Sequence, residues 1–468
     1  MSDLSATALS ALEATLGPER IFVDPATRGL YASDETPHHC IPLAVCFPRA
    51  HDEVLALVRW AHTHRIALIP RGAGSGNVGG ALPAPGSVVV SFECMTRVLA
   101  FDPDNRLMVV ETGIVTDEVD RLARSAGLMY APDPGSGAYC RIGGNLAMNA
   151  AGPRCVKYGA TRDHVLGLRA ITGTGREIRT GSRTSKYATG YDLTRLLIGS
   201  EGTLALITEA TLKLVPAPEA VATLRLCYTH TRAACEAVIR VMRQPVVPCA
   251  LEFMDARSID ALRAHGNAQD LPDGTQAVLM VEADGDVHAL PGQLAALNRA
   301  LEGPGLIETQ SGFSRDEIQR LWVARKSLSH AVKRIAPRKI NEDVVVPVSQ
   351  LADLVDAIDR LGHRWAVPLV AFGHAGNGNL HVNLMVHEED ADEMARAAAC
   401  RRELIATVLA MHGSLSGEHG IGSEKRHFLP LEIESDTLAL MRQIKAQFDP
   451  AGILNPGKKL PDQSEGNT

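Results

Sequence analysis

Six of the 17 histidines fall between residues 374 and 427, and two short stretches there carry residues suited to holding a cation and moving a proton. FGHAGNGNLHVN contains His374 and His381, and SGEHGIG contains Glu418 and His419. On a straight strand a separation of seven points two side chains to opposite faces. The intervening Gly376-Asn377-Gly378 signals a turn, which brings both imidazoles to one point. Two imidazoles and a carboxylate with open positions suit a catalytic divalent ion. Glu418 reads as the third ligand, which leaves His419 to face a substrate and accept a proton. His387, His412 and His427 have no such neighbours and read as surface or core residues.

A second kind of chemistry is written in glycine. Residues 70–81, PRGAGSGNVGGA, follow the apolar run IALIP, and Gly74, Gly76 and Gly79 formally satisfy GxGxxG. That motif serves a dinucleotide only where a helix opens at the loop. Here GGALPAPG follows, with two prolines and three glycines in eight positions, and cannot sustain a helix. What remains is a run of exposed backbone N–H groups, a nest for phosphate oxygens. A second region, PDPGSGAYCRIGGNLAMNAAGPRCVKYG (132–159), is too poor in apolar side chains to make its own core. A large ligand packed against backbone accounts for it, because glycine permits close approach. Two such loops about sixty residues apart suit a ligand with a pyrophosphate and two ring systems.

The elements that must position these residues follow from periodicity. One amphipathic helix spans roughly Asp3 to Leu16. Then come strand LAVCFP, helix HDEVLALVRWAHTHR opened by Asp52, strand IALIP, strands SVVVSF and LMVVETG, and helix VTDEVDRLARSAG. Residues 131–165 show little regular pattern. GLRAITGTGREI reads as a hairpin around Gly173-Thr174-Gly175, and GSEGTLALITEATLKLVP supplies one or two further strands before a boundary at Pro216–Pro218. Beyond 219, strands LRLCY, ALEFMD, AVLMVEA, VVVP, LVAFGH and LHVNLMV alternate with longer helices. That alternation predicts an α+β layer with helices on one face of a largely antiparallel sheet. The last forty residues hold the helix LALMRQIKAQF, a DPAG turn and a disordered-looking tail, QSEGNT.

The 468 residues exceed what one core usually serves, so two domains are expected. Forty-seven basic against 54 acidic residues, with no long run of one sign, argue against nucleic acid as the main partner. The N-terminus lacks the pattern of a signal peptide, and no apolar run approaches membrane-spanning length. Nine cysteines without a CxxC pair read as reduced thiols of a cytoplasmic protein and leave no iron–sulfur ligand set.

Together, PRGAGSGNVGG, PDPGSG…IGGNLAMNAAG…KYG and IGSEGTLALITEATLKLVP resemble the FAD domain of the vanillyl-alcohol oxidase/p-cresol methylhydroxylase flavoproteins. The second half resembles the C-terminal domain of FAD-linked D-lactate, glycolate and D-2-hydroxyglutarate dehydrogenases. The resemblance runs from about Pro42 to Leu460. It implies an α+β fold: a two-subdomain FAD-binding domain (1–218), an α+β substrate and metal domain with an antiparallel sheet (219–428), and a C-terminal helical segment (429–468) returning to the flavin. It also assigns roles. Arg71, Gly72, Ala73, Gly74, Ser75, Gly76, Asn77, Gly79 and Gly80 would wrap the pyrophosphate. Pro132, Gly135, Ser136, Gly143, Gly144, Asn145, Asn149 and Gly152 would line the diphosphate and isoalloxazine. Glu201, Gly202 and Ile207 would lie toward the adenine or ribose, and Asn455 near the flavin ring. No histidine lies between Pro70 and Ala81, so FAD is expected to be non-covalent.

The same resemblance makes His374, His381 and Glu418 ligands of a divalent metal, zinc with manganese or cobalt as alternatives, and His419 the base. The reaction it implies is hydride removal from C2 of a D-2-hydroxy acid to the flavin. The metal lowers the pKa of the substrate hydroxyl, and a neutral histidine accepts its proton. A dicarboxylate needs a further cation. Arg325 and Ser329, one turn apart in LWVARKSLSHAV, match the family's distal-carboxylate grip; Lys339 matches it loosely, since its spacing to Pro347 differs. Asn383 would complete the substrate site. This favours D-2-hydroxyglutarate over D-lactate, D-malate or glycolate. Electrons would leave to an external acceptor, an electron-transfer flavoprotein or a quinone, from a cytoplasmic protein with peripheral membrane contact and a homodimeric state both left open. A flavin reductase fed by NAD(P)H would share the glycine loops without needing the His/Glu residues, and a metal hydrolase would need the latter without the loops.

Overall fold

The computed structural model describes residues 4–462; the QSEGNT tail lies outside them. The chain divides into two compact units. The first takes 1–152, 159–217 and 418–468; the second takes 153–158 and 218–417. The division therefore gives 418–428 to the first unit, where the sequence reading had given them to the substrate domain. It also gives 153–158 to the second unit. That short stretch belongs there for a physical reason: Lys157 pairs with the buried Asp284, and the Tyr158 hydroxyl donates to the same carboxylate at 2.8 Å.

In the first unit, β1 (Ile21–Phe22), β2 (Ala44–Cys46), β3 (Leu68–Arg71) and β4 (Val88–Ser91) form a sheet in the order β1-β2-β4-β3. Strands β2, β4 and β3 run parallel. Their near-continuous apolar sequences are those of strands buried on both faces. The helices Ala6–Leu16 and His51–His64 cover them, the latter through Val54, Leu57, Val58 and Ala61 at helical spacing. The first begins at Ala6, with the Ser5 hydroxyl capping Ala8 N–H; Asp3, the start expected from the sequence, lies outside the described residues. Residues 79–86 form no helix, as their prolines and glycines require, so β3 and β4 are joined by a long loop.

A second sheet of this unit joins β5 (Val98–Asp102), β6 (Leu107–Glu111), β8 (Val165–Thr172), β9 (Glu177–Gly181) and β10 (Ala205–Lys213) in the order β5-β6-β10-β8-β9, all antiparallel. Short β7 (Leu128–Met129) and β11 (Val215–Pro216) pair separately. The region 131–165 is not structureless: a helix spans Ile142–Met148 and a single turn Cys155–Tyr158.

The second unit is built on one seven-stranded antiparallel sheet. It contains β12 (Ala220–Tyr228), β13 (Ala250–Met254), β14 (Ala277–Gly285), β15 (Leu306–Gly312), β16 (Arg338–Val345), β17 (Leu369–Gly373) and β18 (Asn379–Val386), ordered β15-β12-β14-β13-β17-β18-β16. Helices cover both faces, not one. Thr231–Arg243, Leu290–Leu301, Leu351–Trp365 and Ala391–Ala410 pack on one side. Ala256–His265 and Arg315–Ala331 pack on the other, over Met254, Val278, Met280 and Phe372. The first of these two, ARSIDALRAH, carries only two large apolar residues, Ile259 and Leu262, and β16 hides its strand character behind RKINED.

Strands β17 and β18 form a hairpin in which Phe372 faces His381. Residues 375–377 make a 3₁₀ turn, and Gly378 closes it at φ +72°. A Cβ there would collide with the Val346 carbonyl oxygen. Gly378→Ala is therefore expected to cost about 2 kcal/mol or more, from left-handed strain plus overpacking. Urea unfolding at wild-type midpoint would refute that role for the turn.

Candidate active site

The first unit brings its two glycine regions together. The loop after β3 leaves the carboxyl end of a parallel sheet, where ligands of such sheets bind. A Cβ on Gly72 would stand 3.2 Å from the Arg141 Cβ and 3.6 Å from the Gly144 nitrogen. Among the described residues no protein group accepts the N–H of Ala73, Gly74, Ser75, Gly76 or Asn77, nor those of Gly135 and Ser136. Gly76, Gly135 and Gly144 have nothing within 4 Å of where a Cβ would stand. Unspent amides beside open space fit the diphosphate of FAD. Other glycines answer to protein neighbours: a Cβ on Gly152 would collide with the Asp133 carbonyl, and one on Gly143 would press on Thr112 at 3.1 Å.

Several expected cofactor residues hold this cradle instead of facing into it. The Arg71 guanidinium lies beneath the loop, donating to the Ser33 carbonyl at 2.7 Å and sitting over the Tyr31 ring. Asn145 is buried and donates to the Thr116 hydroxyl at 2.6 Å, and Asn149 accepts the Arg162 N–H at 2.9 Å. Glu201, expected toward the ribose, has its buried carboxylate committed to Ile421 N–H at 2.9 Å, Gly422 N–H at 2.7 Å and Lys459 Nζ at 3.2 Å. Its neighbour Gly202 approaches Pro70, and Ile207 accepts the Thr112 hydroxyl through its carbonyl. Asn455 donates to the carbonyls of Gly80 and Glu201 at 2.9 and 2.7 Å, and its buried Oδ1 has no donor among the described residues. The Val78 carbonyl accepts Ser423 N–H at 2.9 Å, and a Cβ on Gly79 would collide with the Ser423 hydroxyl. The stretch containing Glu418 and His419 is thus fastened, through 421–423, to the glycine loop of its own unit.

In the second unit the hairpin turn resolves the seven-residue spacing. His374 and His381 fall on one face, with ring centroids 5.3 Å apart and planes at 86°. His374 Nδ1 is 2.5 Å from Oε1 of Glu252, a fully buried carboxylate on β13. With Nδ1–H donated there, Nε2 is the ring nitrogen in the tautomer that can ligate a metal. Glu252 Oε2 accepts Arg325 Nε–H at 2.9 Å and forms an ion pair with Nη2 at 2.7 Å. Burial alone would raise the Glu252 carboxyl; His374 and Arg325 outweigh it and hold it at about 2. Asp343 stands opposite His381 across β16 and β18, 3.7 Å from its Nδ1. It also accepts Asn379 Nδ2 at 2.8 Å and the Ser416 hydroxyl at 2.9 Å. Two imidazoles, each beside a buried carboxylate, are a donor set that fits a divalent cation.

The expected substrate residues fare unequally. Arg325 is no isolated cation: Glu252 and the Phe372 ring, 5.1 Å away, fix it, and Nη1 remains without a partner among the described residues. Ser329 is exposed and Lys339 half-buried on β16. Asn383 is buried, donating to the Val370 and His381 carbonyls and accepting from Asn341 Nδ2 at 2.8 Å. Glu252 and Asp343 were missed by sequence reasoning. The available signal was an acidic residue within or directly beside an apolar run, Glu252 in ALEFMD and Asp343 in NEDVVVP.

No helix among the described residues is long and apolar enough to cross a membrane. Residues 42–181 match the model of the FAD binding domain, and 217–459 that of the C-terminal domain of FAD linked oxidases. The chain is 36% identical to the glycolate oxidase subunit GlcD of Bacillus subtilis, over 94% of each chain. It is 33% identical to the D-2-hydroxyglutarate dehydrogenase of Stutzerimonas stutzeri, over 96% of this chain and 98% of that one. With the D-lactate dehydrogenase of Archaeoglobus fulgidus it shares 34% identity over 92% and 95%. Among solved structures, p-cresol methylhydroxylase with substrate bound superposes with a TM-score of 0.81 at 16% identity, covering 98% and 97% of the two chains. The 4-ethylphenol oxidase from Gulosibacter chungangensis gives 0.78 at 18%, covering 98% of each. These two matches establish the vanillyl-alcohol oxidase/p-cresol methylhydroxylase fold. With an FAD-binding domain, the matching C-terminal domain and relatives alike over nearly the whole chain, this protein belongs to the FAD-linked oxidases, a family of flavin-dependent oxidoreductases.

Proposed function

We propose that the chain oxidises D-2-hydroxy acids to 2-oxo acids, with D-2-hydroxyglutarate to 2-oxoglutarate preferred, and passes the electrons to an external acceptor, an electron-transfer flavoprotein or a quinone. The observation that carries this reading is the His374–Glu252–Arg325 constellation: an imidazole and a guanidinium share one buried carboxylate. The first suits a metal ion and the second an organic carboxylate. Relatives named for D-2-hydroxyglutarate, D-lactate and glycolate support the substrate class.

Bound FAD supplies the two-electron acceptor, and a divalent ion, zinc with manganese or cobalt as alternatives, the Lewis acidity that eases loss of the hydroxyl proton. The residues proposed for the ion are His374, His381 and Glu418. His419 accepts the substrate hydroxyl proton. Arg325 Nη1 binds a substrate carboxylate, and Ser329 and Lys339 contribute at its rim, while Asn383 braces the sheet beside His381. The 73–77 amides hold the diphosphate of FAD, and Asn455 Oδ1 accepts an N–H from its ring.

Three outcomes check this reading. Anaerobic flavin bleaching by a panel of D- and L-2-hydroxy acids is expected to be fastest with D-2-hydroxyglutarate and to be abolished by a chelator. Bleaching by D-lactate with no chelator effect would sink both the metal and the dicarboxylate preference. His419→Ala is expected to slow flavin reduction by about a hundredfold or more, and a near-wild-type rate would remove its role as base. Gly144→Ala and Gly76→Ala are expected to weaken FAD binding while leaving apoprotein stability intact. Gly152→Ala is expected to destabilise the apoprotein by about 1–3 kcal/mol. Equal FAD affinity in all three variants would contradict the assigned cradle.

A further inference from the structure

The reading above treats a cation site and a carboxylate anchor as separate devices, yet one side chain touches both. Glu252 lies on β13 with its side chain fully removed from solvent. Its two oxygens are divided: Oε1 meets His374 Nδ1 at 2.5 Å, and Oε2 takes Nε and Nη2 of Arg325 at 2.9 and 2.7 Å. The division follows from the sheet. Met254 pairs with Phe372, so continuing the antiparallel register sets Glu252 against His374 at the end of β17. Arg325, on the helix Arg315–Ala331 over that face, reaches down across the Phe372 ring.

We propose that Glu252 is a positioning residue that sets both the metal-facing tautomer of His374 and the aim of the Arg325 guanidinium, so that cation affinity and substrate-carboxylate recognition are linked through one side chain. This rests on the proposed function for the roles of His374 and Arg325. A fully buried carboxylate needs a donor at each oxygen. Anchoring Nε and Nη2 leaves the Nη1 edge of Arg325 for a ligand, and accepting Nδ1–H fixes the tautomer in which His374 Nε2 is the nitrogen able to ligate a cation. Glutamine at this position keeps one acceptor oxygen and turns the other into a donor. It therefore loses the bond to His374 or the bond to Arg325, and both orientations loosen as the side chain alternates between them.

The test uses the FAD-loaded protein and two readouts. Zinc affinity is measured by competition with a chromogenic chelator, without turnover. KM is then measured at saturating zinc for D-2-hydroxyglutarate and for D-lactate, which lacks the distal carboxylate. Glu252→Gln is expected to weaken zinc binding by about 10–100-fold, as loss of a ligand-orienting carboxylate does. It is also expected to raise KM for the dicarboxylate by about tenfold while changing that for D-lactate far less. A change in only one of the two readouts overturns the proposal, because Glu252 would then serve a single partner. If Glu252→Gln does not retain FAD, Glu252→Asp keeps the charge but is one methylene too short to span both groups, and the same paired losses are expected. A wild-type protein that takes up no zinc overturns the metal reading itself. Equal zinc affinity in wild type and variant overturns the Glu252 proposal alone.

Discussion

Taking a carboxylate out of water costs several kcal/mol unless its oxygens find donors, and Glu201 meets that requirement with groups far away in sequence. Its partners are the amides of Ile421 and Gly422 and the Lys459 ammonium. Its own carbonyl accepts from Asn455, which also holds Gly80. One buried charge thereby fixes the glycine loop, the end of the chain and the segment carrying Glu418 and His419 within a single unit. The positive φ of Glu201, +56°, is the backbone strain that this arrangement accepts.

The second unit repeats the rule on a sheet. Glu252 and Asp343 are fully buried and lie beside His374 and His381, and their remaining bonds go to Arg325, Asn379 and Ser416. Such carboxylates make poor stability devices, because their desolvation consumes most of what pairing returns. They define direction instead: a histidine hydrogen-bonded at one nitrogen presents the other. The polar row survives in a core because helices on both sheet faces exclude water around it while the strands supply backbone and side-chain partners.

The legible parts of the fold were those whose signal is contiguous. The proline-rich sequence after Gly80 ruled out a helix at the glycine loop, and the structure has none there. Alternating apolar runs marked most strands, and the Gly376–Gly378 turn foretold that His374 and His381 meet. Strand β16 was seen only as VVVP because charges in RKINED broke its pattern; of those charges Glu342 and Asp343 are buried. The helix Ala256–His265 escaped notice because it carries only two large apolar residues, Ile259 and Leu262. The expectation of helices on one face came from the strand–helix alternation, which does not say to which side each helix packs.

Sequence by itself determined the chemical vocabulary: two runs of small residues open enough for a large anionic ligand, and a pair of histidines set by a turn to converge. Those are local properties, fixed by sterics within a few residues. Tertiary structure decided which polar groups are spent and which remain available. Arg325 looked like a free anchor and is bound to Glu252; Glu201 looked like a cofactor residue and is a clamp; Asn145, Asn149 and Asn383 are braced against the protein. Whether a side chain has a lone pair or an N–H left over depends on partners brought in from distant strands, and burial makes that pairing obligatory. No spacing rule along the chain carries that information.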